Sequence, residues 1–143
     1  MVLPKINPTT TKSWKALNKH FQEIKDVHMK GLFASDPKRA ETFTIKWEDF
    51  YVDYSKNRIT KETLNYLLQL VGEVKLKEAI QCQFSGEKIN QTEGRAVLHT
   101  ALRAPKNSEF YVDGTNVIPE VYRVKQKIQT FTDEVVNGNK KGF

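Results

Sequence analysis

The sequence predicts a mainly α-helical fold with one β-hairpin. Apolar residues recur at three- and four-residue steps in five stretches of the chain, which is the spacing of amphipathic helices. Between about residues 43 and 54, apolar and polar residues alternate instead, which is typical of strands. Dipeptides that favour turns or breaks separate these stretches: Asp36-Pro37, Ser85-Gly86, Ala104-Pro105 and Asp113-Gly114.

The first predicted helix begins after Thr9, Thr10 and Thr11, whose hydroxyls can accept hydrogen bonds from the free amides of a helix start. We expect it to end near Gly31. Its apolar stripe consists of Trp14, Leu17, Phe21, Ile24 and His28. Asp36-Pro37 then marks a break that can begin a short helical turn.

The predicted hairpin turns at Glu48-Asp49. Folding at this dipeptide stacks three apolar pairs on one face: Trp47 with Phe50, Ile45 with Val52, and Phe43 with Tyr54. The dipeptide lacks the glycine that two-residue turns favour. Because a two-stranded ribbon is only marginally stable alone, we expect the apolar face to lie on other elements.

Two helices are predicted after the hairpin. Thr60 can cap the first, which runs to Gly72 and carries an apolar face. That face consists of Leu64, Leu67, Leu68 and Val71. The second carries Leu76, Ala79 and Ile80 and ends at Ser85-Gly86.

The C-terminal part of the sequence predicts a short strand and a long helix. Phe110–Val112 before Asp113-Gly114 indicates a strand followed by a turn. The helix then runs to Asn137-Gly138. Its apolar stripe consists of Val117, Val121, Val124, Ile128, Phe131 and Val135.

Composition bounds the class of protein. The 143 residues are 38% hydrophobic and 28% charged, which suits a globular chain with one core. No run of eighteen apolar residues and no secretory signal is visible, so we expect a cytoplasmic protein that contacts no membrane. The formal charge of +6 invites a nucleic-acid interpretation, but the cations are interleaved with 17 acids rather than gathered on one face.

Cysteine and histidine usage gives no sign of a metal or redox centre. Cys82 is the only cysteine in the sequence, which excludes an intramolecular disulfide, and its apolar surroundings predict a buried side chain. His20 and His28 lie eight residues apart on the first predicted helix, without the partners that a metal site needs. We therefore expect both histidines to be structural.

The segment from Phe84 to Arg103, FSGEKINQTEGRAVLHTALR, is the most informative part of the chain. Asn90 and Glu93 have the spacing of a capping box, so we expect a helix from Asn90 that ends before Pro105. Three basic side chains recur every four residues on it: Arg95, His99 and Arg103. This stripe suits a sugar phosphate or a partner's carboxylate, but we expect these residues to make salt bridges at an interface instead.

This segment also carries a family resemblance. The wording IN-x-TEGRAVLH-x-ALR resembles the N-terminal signature of glucose-6-phosphate isomerases. Three other phrases occur in the order typical of that family: DYSKNRIT at 53–60, FSGEKIN at 84–90 and VDGTNVIPEV at 112–121. The resemblance covers nearly all of this sequence but only the N-terminal part of the family's longer protein.

The resemblance implies a function and a division of labour. The family interconverts glucose 6-phosphate and fructose 6-phosphate through an enediol, without a cofactor or a metal. The resemblance implies that residues 1–143 are an N-terminal helical segment, with the hairpin at about 43–54. The catalytic residues would follow after Phe143, in α/β domains of the sugar-isomerase (SIS) type, within a homodimer.

No catalytic residue is therefore assigned within this chain, and we expect it to be inactive alone. Arg95 and His99 are candidates for supporting the active site from behind, while Glu93 and Thr92 are expected to cap the helix. The implied partners are the following α/β domains, a second subunit and the sugar phosphate. A free-standing helical interaction module is the alternative, which a cooperatively folding 143-residue monomer would favour.

Overall fold

The computed structural model describes residues 3–142, which form helices and two short antiparallel ribbons. The helices are α1 (Lys12–Ile24), α2 (Met29–Ser35), α3 (Arg39–Thr42), α4 (Lys61–Glu73), α5 (Leu76–Phe84) and α6 (Ile118–Val136). The strands are β1 (Thr44–Trp47), β2 (Phe50–Asp53), β3 (Tyr111–Val112) and β4 (Thr115–Asn116). The predicted mainly α-helical character is confirmed, and the β3–β4 ribbon adds a return strand to the predicted strand and turn.

The chain divides into two compact units. The first unit runs from Lys5 to Leu76, and the second is formed by the chain from Lys77 onward together with Leu3 and Pro4. The first unit therefore contains α1 to α4 and the β1–β2 hairpin. The second contains nearly all of α5, the 84–103 segment, the β3–β4 ribbon and α6.

Helix α1 begins as predicted but ends early. The Thr11 hydroxyl accepts from the Trp14 amide at 3.2 Å, which confirms the cap. The prediction that the helix continues to Gly31 is wrong, because α1 ends at Ile24. His28 is extended, and its Nδ1 accepts from the Lys30 amide at 3.1 Å, so it caps α2 instead of extending the α1 stripe.

The β1–β2 hairpin has the predicted register. Trp47 pairs with Phe50 and Ile45 with Val52, and the Tyr54 amide donates to the Phe43 carbonyl at 2.9 Å. Glu48 adopts the positive φ, 48°, for which two-residue turns usually favour a glycine. The expectation that other elements cover the apolar face is wrong within the described residues. Phe43 is buried, but the four side chains on the strands are exposed.

Helices α1 and α4 pack against each other, with polar contacts near both ends of α4. Thr60 and Thr63 form a capping box at the start of α4, and His20 Nε2 lies 2.7 Å from Thr63 Oγ1. Near the other end of α4, the Ser13 hydroxyl donates to the Glu73 carboxylate at 2.9 Å. A buried and a partly buried hydrogen bond therefore fix the two ends of the helix pair.

Arg39 ties the loop after the hairpin to the first unit. Its side chain is 2% exposed and lies over the Phe43 ring, 4.5 Å from the ring centroid. The guanidinium donates to three backbone carbonyls, those of Ser55 at 2.8 Å, Asn57 at 2.7 Å and Ile59 at 2.9 Å. The buried charge is thus compensated by carbonyl dipoles rather than by an acid.

The second unit has a small apolar core. Ala101, Phe110 and Ile118 are buried together, with Leu98 and Tyr122 packed around them. The Tyr122 hydroxyl donates to the Ala104 carbonyl at 3.0 Å and joins the start of α6 to this core. Cys82 is buried, as predicted. The later turns of α6 are exposed, including the predicted stripe positions Val124, Ile128, Phe131 and Val135.

Arg39→Met tests the hydrogen bonds from the Arg39 guanidinium to the three loop carbonyls. We expect it to lower the free energy of unfolding by about 3 kcal/mol, because three backbone carbonyls lose a charged donor. Arg58→Met is the matched control, since exposed Arg58 makes a single hydrogen bond to the Lys25 carbonyl. It should cost less than about 1 kcal/mol in urea unfolding. Equal losses for the two variants would contradict the role given to Arg39.

Glu73→Gln tests the α1–α4 contact through its pH dependence. Burial acts to raise the pKa of Glu73, but hydrogen bonds from Ser13, Thr11 and Lys12 outweigh it and hold the pKa below its ordinary 4.5. A depressed carboxyl pKa stabilises the fold fully above the ordinary value and loses that effect as pH falls through the lowered one. The stability difference between the original protein and the variant should therefore shrink on acidification from about pH 7 to about pH 3.

Urea unfolding at the two pH values measures this difference. Glu41→Gln, at an exposed position of α3, is the control and should show no comparable change. A Glu73→Gln deficit that stays constant from neutral to acid pH would contradict the account.

Candidate functional site

The 84–103 segment is built from turns rather than from the predicted helix. Between α5 and α6, the described helical structure is a single short turn at Ala101–Arg103. The predicted helix from Asn90 to Arg103 is therefore wrong. Asn90 and Arg95 instead pair as an antiparallel bridge, with reciprocal backbone hydrogen bonds of 3.1 and 3.2 Å.

The capping groups of this segment act as expected, but they close a turn. Asn90 Oδ1 accepts from the Glu93 amide at 3.3 Å and from the Thr92 hydroxyl at 2.8 Å. Asn90 Nδ2 donates to the Glu93 carboxylate at 3.1 Å, which gives both halves of a cap-like contact. Gly94 then adopts a φ of 64°, which reverses the chain where a helix would continue.

The three basic residues do not form a stripe. Arg95 is exposed, and its guanidinium pairs with the carboxylate of Glu93 two residues before it. His99 is exposed as well, and the Arg103 guanidinium donates to the His99 carbonyl at 3.1 Å. The structure therefore places Arg95, His99 and Arg103 on one segment without converging their side chains on a common ligand position.

The FSGEKIN phrase lies against Phe110 and Tyr111, the two residues that directly precede the VDGTNVIPEV phrase. Gly86 is buried with a φ of 79°, and a Cβ added there would overlap the Tyr111 carbonyl and lie 3.1 Å from the Phe110 ring. Lys88 and Asp113 form an ion pair at 2.9 Å between the same two phrases. This approach explains why glycine occupies position 86.

Asn116 fixes the start of α6. Its Oδ1 accepts from the Phe110 amide at 3.2 Å and from the Ile118 amide at 3.1 Å. One amide side chain thus holds the β3 entry and the first turn of α6 together. The TNVIPEV wording is explained by this contact and by Pro119, which suits the first turn of a helix.

The DYSKNRIT phrase has a structural role in the first unit. Hydrogen bonds from the Ser55 hydroxyl and backbone amide lower the pKa of Asp53 and hold its carboxylate at the end of β2. Ser55, Asn57 and Ile59 supply the three carbonyls bound by Arg39, and Thr60 caps α4. The phrase therefore encodes a loop with a fixed path rather than a reactive group.

A cleft of about 480 Å³ in the first unit gathers several titratable groups. His20 lines it, with Nδ1 3.5 Å from a Glu23 carboxylate oxygen and 3.8 Å from one of Glu62. This nitrogen makes no hydrogen bond within the described residues, while Nε2 is bonded to Thr63. The arrangement joins α1 to α4, and the hydroxyls beside the imidazole, those of Thr60 and Thr63, are engaged in the capping box of α4.

Sequence reasoning gave His20 a structural role without identifying its partner, and it missed Glu73 and Arg39 as fold-determining groups. Their partners lie 43, 60 and 16 to 20 residues away, so no local spacing signals the contacts. Within residues 3–142, no group of three or more His, Cys, Asp or Glu side chains is placed to hold a metal ion. No helix in that range is long and apolar enough to cross a membrane.

Comparison with known proteins identifies relatives along almost the whole chain. The family model for phosphoglucose isomerase matches residues 53–143. The glucose-6-phosphate isomerase of Christiangramia forsetii is 59% identical over 138 residues, which are 96% of this chain and 25% of that protein. The isomerase of Wigglesworthia glossinidia brevipalpis is 50% identical over 139 residues, with the same two shares.

A third relative extends the same pattern. The glucose-6-phosphate isomerase of Gloeobacter violaceus is 48% identical over 135 residues, 94% of this chain and 25% of that protein. The chain thus spans about a quarter of the length of the curated relatives it matches.

Gly86→Ala tests the close approach of the FSGEKIN phrase to Phe110 and Tyr111. We expect a loss of about 3 kcal/mol in the free energy of unfolding, because strained backbone and overlap with the Tyr111 carbonyl add. Gly94→Ala is the matched control, since Gly94 has a similar positive φ but open space around an added Cβ. It should cost only about 1 kcal/mol. Comparable losses in thermal or urea unfolding would contradict the packing role of Gly86.

Proposed function

The chain belongs to the phosphoglucose isomerase family, and we propose that it forms the N-terminal quarter of a glucose-6-phosphate isomerase. The observation that carries this proposal is 48–59% identity over at least 94% of the chain to proteins of that name. The whole enzyme interconverts glucose 6-phosphate and fructose 6-phosphate by moving a proton between C1 and C2 through an enediol.

The catalytic groups lie in the part of the enzyme that follows residue 143. Two features of the described residues support this division. Glu93, the acid in the TEGR phrase, is held by Asn90 and paired with Arg95, so it is engaged as a turn-closing group. The His20 imidazole is buried between α1 and α4 and serves their packing. A general base must instead reach the sugar carbon from which it takes a proton.

The parent enzyme has sugar-isomerase (SIS) α/β domains, works as a cytoplasmic homodimer and uses no cofactor or metal. This segment contributes structure to it. Arg95 and His99 support the active site from behind, through contacts with the following domains. Their exposure and their position within the TEGRAVLH wording support this role.

A hybrid enzyme tests the proposed function. In it, residues 1–143 of this chain replace the matched quarter of the Christiangramia forsetii isomerase, and fructose 6-phosphate formation is followed in a coupled assay. We expect the hybrid to be active and the 143-residue chain alone to be inactive. A folded hybrid without activity, or activity of the chain alone, would contradict the proposal.

Substitutions in the hybrid test the supporting role of Arg95 and His99. Arg95→Ala and His99→Ala should lower the Tm while kcat stays within about tenfold, because neither group takes part in proton transfer. Lys106→Ala, at an exposed position outside the signature, is the control and should change neither quantity. A kcat loss of about a thousandfold at unchanged Tm would show that the residue acts in the chemical step.

A further inference from the structure

The β1–β2 hairpin carries an apolar face that the described residues leave open. This hairpin face consists of Ile45, Trp47, Phe50 and Val52, which are 51–63% exposed. We propose that the hairpin face docks on the part of the isomerase chain that follows residue 143. The inference rests on the proposed function and adds to it the surface through which this segment joins the rest of the enzyme.

The chemistry of the hairpin face distinguishes it from the other side of the ribbon. Trp47 and Phe50 stack with ring centroids 5.5 Å apart and planes at 17°, which forms a flat aromatic platform. On the opposite side, Lys46 Nζ lies 5.2 Å from the centroid of the Tyr51 ring, which gives a polar surface suited to water. Only one side of the ribbon therefore demands an apolar partner.

The area of the hairpin face argues against a second copy as its occupant. Two half-exposed aromatic rings and two aliphatic side chains expose on the order of 400 Å². A stable, specific dimer buries about 800 Å² on each partner, roughly twice that amount. Association of separate molecules must also offset the loss of translational and rotational freedom. The same area is sufficient for a contact within one chain, where tethering removes most of that cost.

The length of the relatives identifies the occupant. Each of the proteins named above has about three quarters of its length outside the region matched by this chain. In a protein of that length, the part of the chain outside the matched region can supply an apolar surface for the hairpin face. Because the hairpin face is already formed in residues 44–53, docking requires little further ordering of the ribbon.

Hydroxyl-radical footprinting of the hybrid enzyme tests the docking. Mass spectrometry reads the oxidation rates of Trp47 and Tyr51, each divided by its rate in the urea-unfolded hybrid. Tyr51 lies on the paired strand β2 but on the opposite side of the ribbon, and it is equally exposed, at 62% against 63% for Trp47, so it is an internal control. We expect protection of Trp47 by about tenfold and of Tyr51 by about twofold, since apolar docking excludes water from one side.

Equal reactivity of the two residues would overturn the inference. Protection of Trp47 that disappears when the hybrid is diluted to monomer would also overturn it, because the occupant would then be a second copy. Isomerase activity of the same sample separates the two proposals. An active hybrid with unprotected Trp47 contradicts only the docking, whereas an inactive hybrid with protected Trp47 supports the docking and contradicts the proposed function.

Substitution gives a second, independent readout. Trp47→Gln should lower the Tm of the hybrid by several degrees, because a buried aromatic contact with the rest of the chain is lost. Tyr51→Gln should lower it by less than half as much. Equal shifts would overturn the assignment of the docking face.

Discussion

The burial of the Arg39 guanidinium is the constraint on which the first unit depends. A charge removed from water must be hydrogen-bonded, and three carbonyls between Ser55 and Ile59 fulfil this need. The hydrogen bonds set the path by which the chain leaves β2 and enters α4 at its Thr60 cap. The hairpin, the loop and the helix start therefore form one connected structure, from which the aromatic tip of the ribbon projects.

The second unit depends on a comparable constraint of space rather than charge. Gly86 lets the chain after α5 pass directly beneath the Tyr111 carbonyl, and Asn116 then fixes the ribbon to the first turn of α6. These backbone contacts explain why Gly86 and Asn116 stand in the sequence motifs that resemble the family, without a chemical role for either residue. Turns and close backbone approaches admit few residues, so they are sufficient to make a stretch of sequence strongly characteristic.

Apolar periodicity and capping residues predicted those elements whose structure depends on residues close together in the sequence. The alternation of Ile45, Trp47, Phe50 and Val52 gave the hairpin register, and the Thr60 cap placed the start of α4. The prediction of a helix from Asn90 was wrong because the same pair of capping residues can also close a turn. The positive φ of Gly94 reverses the chain there, so a turn forms instead of a helix. The hydrogen bonds of Arg39 to the loop carbonyls and the His20–Thr63 contact could not be predicted, because both join residues far apart in sequence.

We propose that this chain is the structural, N-terminal quarter of an isomerase. The most direct test is the intact mass of the protein as its native source makes it. The account predicts a mass about four times 16.5 kDa, because the chain covers 25% of its relatives. A native product of 16.5 kDa would contradict it, and the exposed hairpin face would then need a partner outside the isomerase.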